Sequence, residues 1–180
     1  MTSFDFATAR QDFFSLFGLP RQQALDVAAL ETRYRDVQGK VHPDKHAHLA
    51  PSDQRLAMQW ATRVNEAYLT LKNPLLRARY LLELAGHDVR LETNTAMPAE
   101  FLMAQMALRE SVAEAKESGN DALLDKLHRQ LRNEIRDEHV ALQVSLDAGQ
   151  HARAAELVRQ LMFQEKLLEE INDALELLES

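Results

Sequence analysis

His42, His46 and His48, with Asp44 and Lys45 among them, are the side chains of this 180-residue sequence whose types and spacing invite a chemical reading. Histidines set so close can hold a divalent cation. No cysteine and no well-placed set of carboxylates completes such a site, so His46 and His48 read as solvated loop residues and no metal is expected. The chain has no cysteine at all. Disulfides, iron–sulfur ligation by this chain and a thiol nucleophile are therefore excluded. There is also no glycine-rich phosphate loop, no nucleophile–base pattern and no cofactor fingerprint. The expectation is a protein with no catalytic residues and no cofactor, and not an enzyme.

What remains is a turn. Pro43 has no N–H and biases His42 away from helical angles. Pro-Asp is good turn chemistry in any interhelical connection. The flanking segments decide how much the turn can mean. Asp26 is a candidate N-cap, with Leu25 and Leu30 at the staple positions, and Leu30, Tyr34, Val37 and Val41 then fall at helical spacing. A second helix begins near Pro51-Ser52 with a stripe of Ala57, Ala61, Val64, Tyr68 and Leu71. Before the pair lies a short apolar segment, Phe13 to Phe17, ended by Gly18-Leu19-Pro20. After it come Asn73-Pro74, a shorter helix from Leu75 to Leu84, and Gly86 as a C-cap.

This arrangement resembles a J-domain, a long antiparallel helix pair with a His-Pro-Asp turn at its tip. The resemblance rests on His42-Pro43-Asp44, the stretch from Val64 to Leu71, Asn73-Pro74, Arg77 and Tyr80-Leu81. It implies that His42, Pro43 and Asp44 engage a DnaK-type chaperone and stimulate its ATPase. They would act by recognition, since a stiff turn loses little entropy on binding. J-domains also dock through bases before the turn, which implies roles for Arg33, Arg35 and Lys40, with Lys45 just after it. Arg33 and Lys40 share a face, while Glu31 and Asp36 dilute the charge of the same helix.

The C-terminal part differs in charge. The net charge of −7 divides into +1 over residues 1–97 and −8 over residues 98–180. An acidic half is a poor partner for nucleic-acid phosphates, and no apolar run approaches membrane-spanning length. Met1 to Arg10 has Asp5 and one basic residue, with neither a secretory nor a transit pattern. A cytoplasmic protein that binds neither nucleic acid nor membrane is expected. Three helices are predicted, at about 98–117, 121–148 and 151–178, with turns at Gly119-Asn120 and Gly149. Short turns make them an antiparallel three-helix bundle. No strand pattern appears, so the fold class is all-α: a J-domain over 1–86, a linker over 87–97 and the bundle over 98–180.

The first of these three helices carries two apolar faces. Phe101, Ala104, Leu108, Val112 and Ala115 cluster within about 80° and form the expected core stripe. Leu102, Met103 and Met106, with Glu110, fall about 100–200° away from Phe101. In the last helix the expected core is Leu157, Leu161, Leu168, Ile171 and Leu175, and Phe163 lies about 200° round from Leu161. Arg159 and Lys166 flank Phe163. Such residues either pack against another part of the chain or are held for a partner.

Over nearly its full length the sequence resembles the HscB family, the J-type co-chaperones of bacterial iron–sulfur cluster assembly. The resemblance runs from Phe13 to Pro20, through His42 to Lys45 and Asn73 to Leu82. It resumes over Phe101 to Met103, at Gln105-Met106 and over Leu108 to Glu110, and ends over Val158-Arg159, Leu161, Phe163 and Lys166-Leu167. It implies two partners: HscA, a DnaK-type ATPase, on the J-domain, and IscU, the cluster scaffold, on the C-terminal bundle. The implied scaffold contacts are Leu102, Met103, Met106, Glu110, Arg159 and Phe163. Ala107 departs from the family pattern, where an acidic residue is familiar.

Overall fold

The computed structural model describes residues 11–42, 50–87, 89 and 97–178. Among these there are seven helices and no strand: α1 Phe13–Leu16, α2 Val27–Val41, α3 Pro51–Lys72, α4 Pro74–Leu84, α5 Ala99–Glu117, α6 Asp121–Asp147 and α7 His151–Leu178. The chain divides into two compact units, Met1–Leu81 and Leu82–Ser180.

In the N-terminal unit, carboxylates start the first two helices. Asp12 accepts from the N–H groups of Phe14 and Ser15, and Asp26 accepts from those of Ala28 and Ala29. Each satisfies donors that the first helical turn leaves orphaned. Burial works to raise the Asp12 carboxyl, but hydrogen bonds from Ser15 and Arg21 outweigh it and leave it lowered. Helices α2 and α3 pair antiparallel, since Glu31 meets Lys72 while Tyr34 meets Asn65. Their seam holds the predicted Leu30, Val41, Val64 and Leu71, joined by Phe14, Leu16, Phe17, Trp60 and Ala67. Tyr34 stacks on Tyr68 with ring centroids 4.1 Å apart.

The rest of the unit is tied to this pair by polar bonds across the chain. The Tyr80 hydroxyl accepts from the Phe13 N–H at 3.0 Å, and the two rings stack. Arg77 is buried and donates to the carbonyls of Gln23 and Leu71, at 3.0 and 2.6 Å. Gln23 donates in return to the Pro74 carbonyl at 2.8 Å. Burial lowers the pKa of the Arg77 guanidinium. It serves as a hub for backbone acceptors that would otherwise be buried unpaired.

In the C-terminal unit the three predicted helices are present, with α5 beginning one residue late. Pro98 is its N-cap, and its carbonyl accepts from Leu102. Gly149 shows why the connections are so short. At φ +67° it places the N–H of Gln150 on the Ser145 carbonyl and its own N–H on that of Leu146. This closes α6 in a left-handed conformation that side chains disfavour.

The core of α6 is as expected, with Leu124, Leu127, Leu131, Ile135 and Leu142 all buried. Two stripes need correction. In α5 the buried positions are Gln105, Val112 and Ala115, with Phe101 and Leu108 partly buried, and Ala104 is exposed. The helix is rolled so that the long stem of Gln105 goes inward in place of a small methyl. In α7 the buried positions include Ala154, Leu157, Val158, Leu161, Gln164, Leu167, Ile171 and Ala174, while Leu168 and Leu175 are only partly buried. This arc is wider than one stripe because α7 packs against both α5 and α6.

A polar layer interrupts the leucines between α6 and α7. Gln164 donates to Glu138 at 2.8 Å, and His139 meets Glu165 at 3.1 Å. Burial pushes the Glu138 carboxyl up, against the hydrogen bond from Gln164. Of the stretch 87–97, residues 88 and 90–96 lie outside the described residues. His87 lies against His151 with ring centroids 4.6 Å apart, and Val89 is buried.

Candidate functional site

Two separate surfaces carry the residues singled out by the sequence. The first is the end of α2. Its last turn is completed by buried Val41 and followed by His42, which leaves helical geometry at ψ 127° and is exposed. Pro43, Asp44 and Lys45, with His46 and His48, lie outside the described residues. Among the described residues no group of three or more metal-ligating side chains comes together.

The three bases before the turn do not share one face. Arg33 and Lys40 lie together on one flank of the buried seam of α2, about 20° apart around the helix, and both are exposed. Arg35 lies on the other flank and reaches back to Glu31 at 3.8 Å. Glu31 also holds Lys72 at 3.3 Å, which ties that flank to α3. Arg33 and Lys40 thus lie on the flank away from Glu31, with the exposed Asp36 about 40–60° further round, and Arg35 belongs to a charge network within the helix pair.

The second surface lies on α5 and α7. Leu102, Met103, Met106 and Phe163 are exposed at 39, 68, 70 and 40%. They are excluded from the core by their angles, as the periodicity implies. Two antiparallel turns make α5 and α7 parallel, and Arg109 bonds Glu170 between them at 3.5 Å. Two helical turns before that ion pair stand Leu102 on α5 and Phe163 on α7, at the same height. Met106 lies one turn on from Leu102 along the same side of α5. The ion pair therefore fixes a register in which the apolar residues of two helices share one level. Glu110 and Lys166 are exposed beside them. Arg159 is partly buried, and its Nε has no hydrogen-bond partner among the described residues.

The pairing of Arg109 with Glu170 escaped the sequence reading. Arg109 belonged to a resembling segment, but its partner is 61 positions away and depends on the register of three helices. Gln105 was missed as a buried residue for the same reason. The arrangement as a whole is an exposed apolar patch rimmed by charge. No helix among the described residues is long and apolar enough to cross a membrane.

Residues 97–172, which span α5, α6 and most of α7, match the family model described as the HSCB C-terminal oligomerisation domain. A co-chaperone protein HscB homolog of Aromatoleum aromaticum is 55% identical over 172 residues, covering 95% of this chain and 97% of that protein. The solved structure of the chaperone HscB from Vibrio cholerae superposes with a TM-score of 0.84 at 36% identity, covering 93% of this chain and 99% of that one. Human co-chaperone protein HscB superposes with a TM-score of 0.86 at 27% identity, covering 91% and 82%. The fold is all-α, with an N-terminal J-domain and a C-terminal helical bundle. By its full-length likeness to these co-chaperones, the chain belongs to the HscB family.

Proposed function

We propose that this co-chaperone joins an HscA-type ATPase to an IscU-type iron–sulfur scaffold in the cytoplasm. Its J-domain, over residues 1–86, stimulates ATP hydrolysis by the chaperone. Its C-terminal bundle, over residues 98–180, brings the scaffold, and the outcome is transfer of clusters toward iron–sulfur proteins. On the chaperone side the contacts are His42, Pro43, Asp44 and Lys45, with Arg33 and Lys40 on one flank of α2 and Arg35 on the other. On the scaffold side they are Leu102, Met103, Met106, Glu110, Arg159 and Phe163. The observation that carries the reading is the exposed apolar patch at one height on α5 and α7, in a chain of this family. Methionines on such a patch adapt to a partner's shape, and a half-exposed aromatic beside basic groups makes an anchor.

The assay is steady-state ATP hydrolysis by an HscA-type chaperone, with and without an IscU-type scaffold. Wild-type protein stimulates both alone and synergistically with the scaffold. His42→Gln lowers the stimulation about tenfold or more, as loss of an interface hot spot does. Equal stimulation by His42→Gln would remove the J-domain mechanism. Retained stimulation with no scaffold binding by calorimetry would make the chain an adaptor for a different client.

A further inference from the structure

The histidines that cluster in the sequence are His42, His46 and His48, but the pair that the fold brings together is another one. His87 and His151 meet within the C-terminal unit, with ring centroids 4.6 Å apart and planes tilted by 45°. Each ring stands on a backbone that the fold holds in place. The chain after α4 closes in a left-handed turn at Gly86, φ +79°, and the His87 N–H donates to the Leu82 carbonyl at 2.8 Å. Leu82 before His87 and Val89 after it are both buried. On the other side the Gln150 N–H donates to the Ser145 carbonyl at 2.8 Å, and His151 is the first residue of α7. His87 is exposed and His151 partly buried.

Two imidazoles at this spacing can share one ion. A metal–nitrogen bond of about 2.1 Å puts each ring centre about 3.2 Å from the metal. Two rings on one ion then lie about 4.5–5.2 Å apart, for angles at the metal of about 90–110°. The observed separation falls inside that window. The rings also line a shallow hollow of about 460 Å³, together with Gly149, Gln150, Ala152 and Arg153. Among the described residues Arg153 is the one full charge lining the hollow, and Glu156 answers it at 2.9 Å. Imidazole suits zinc, nickel and copper, whereas magnesium and calcium take sets of oxygens.

We propose that His87 and His151 bind a divalent transition-metal ion, with water in its remaining positions. The ion clips the chain that leaves α4 to the turn that begins α7. Both ligands are needed, because one surface histidine holds such an ion weakly. Their backbones are already fixed, so little entropy is lost when the ion binds. The ion prefers the folded pair to the same histidines in an unfolded chain, and so it stabilises the C-terminal unit.

Calorimetry of the full-length protein with nickel chloride, and separately with zinc chloride, tests this. One ion per chain is expected to bind, with an affinity that falls about tenfold or more in His87→Gln and likewise in His151→Gln. A variant carrying His42→Gln, His46→Gln and His48→Gln together is expected to bind as wild type does. Magnesium chloride is expected to give no heat of binding. Excess nickel is expected to raise the thermal unfolding temperature of wild type and to leave that of either single variant unchanged. Without metal the single variants are expected to unfold like wild type, as surface substitutions do. The loss is then one of a ligand and not of the fold. Binding that survives in both single variants overturns the proposal. So does binding that disappears with His42, His46 and His48, a response to magnesium equal to that to nickel, or a wild type that takes up neither nickel nor zinc.

Discussion

The pairs α2–α3 and α6–α7 are both antiparallel, yet they are held together by different means. The first is sealed by aromatic rings and locked at its base by Arg77, Gln23 and Tyr80, whose bonds reach segments more than fifty positions away. The second is sealed by leucines and crossed by a layer of Glu138, His139, Gln164 and Glu165. The first therefore has one arrangement available to it, which suits a scaffold that presents a short turn. The second belongs to a bundle that leaves Leu102, Met103 and Met106 of α5 and Phe163 of α7 outside its core, which suits the proposed binding surface. The difference is one of where apolar area is used: inward for rigidity, or outward for recognition.

Substitutions that attack each region separately test this contrast. The largest effect is expected from Arg77→Met, which leaves the carbonyls of Gln23 and Leu71 without a buried donor. It should cost about 2–4 kcal/mol in chemical denaturation of the N-terminal unit. A loss below about 0.5 kcal/mol would show that the lock is dispensable. Next come Met106→Ala and Phe163→Ala. Each should weaken scaffold binding by about tenfold, or ~1.4 kcal/mol, in calorimetry, with thermal unfolding nearly unchanged. A fall in stability to match the lost affinity would return these side chains to the core and erase the contrast. The smallest effect is expected from Glu138→Gln. Burial raises the Glu138 carboxyl, so its ionised form destabilises the fold above the folded-state pKa, and that penalty is relieved as pH falls through it. Glu138→Gln should therefore raise the neutral-pH melting temperature slightly, by less than about 1 kcal/mol in stability for so partly exposed a group. The gain should shrink in acid. A gain that is independent of pH would mean that ionisation of Glu138 is not its source.

Helix existence was legible in the sequence almost everywhere, because caps and breaks are local. Asp26, Pro51, Asn73 and Gly149 each act within a few residues, and each stands at an observed helix end. The same holds for the exposed face of α5: Leu102 and Met106 are too far round the helix from Val112 and Ala115 to reach the same core. What was not legible depends on the roll of one helix against another. Ala104 and Gln105 lie on opposite edges of one stripe, and hydrophobicity favours the wrong one. Leu168 and Leu175 lose core positions to Leu167 and Ala174 because α7 faces two neighbours, which widens and rotates its buried arc. The split of Arg33 and Lys40 from Arg35 was written in their spacing. The engagement of Arg35 with Glu31 needed side-chain geometry.

The register set by Arg109 and Glu170 has a consequence for quality control. A turn such as the one after Val41 is a continuous stretch of chain, and a fragment can imitate it. The apolar level of Leu102 and Phe163 is a discontinuous epitope whose two parts are joined only through α6. It exists when all three helices are folded and in step, and vanishes when any one slips. Under the proposed function, a slipped helix would therefore cost the chain its hold on the scaffold while leaving the turn after α2 in place. In that proposed role such a molecule would stimulate ATP hydrolysis without bringing a client.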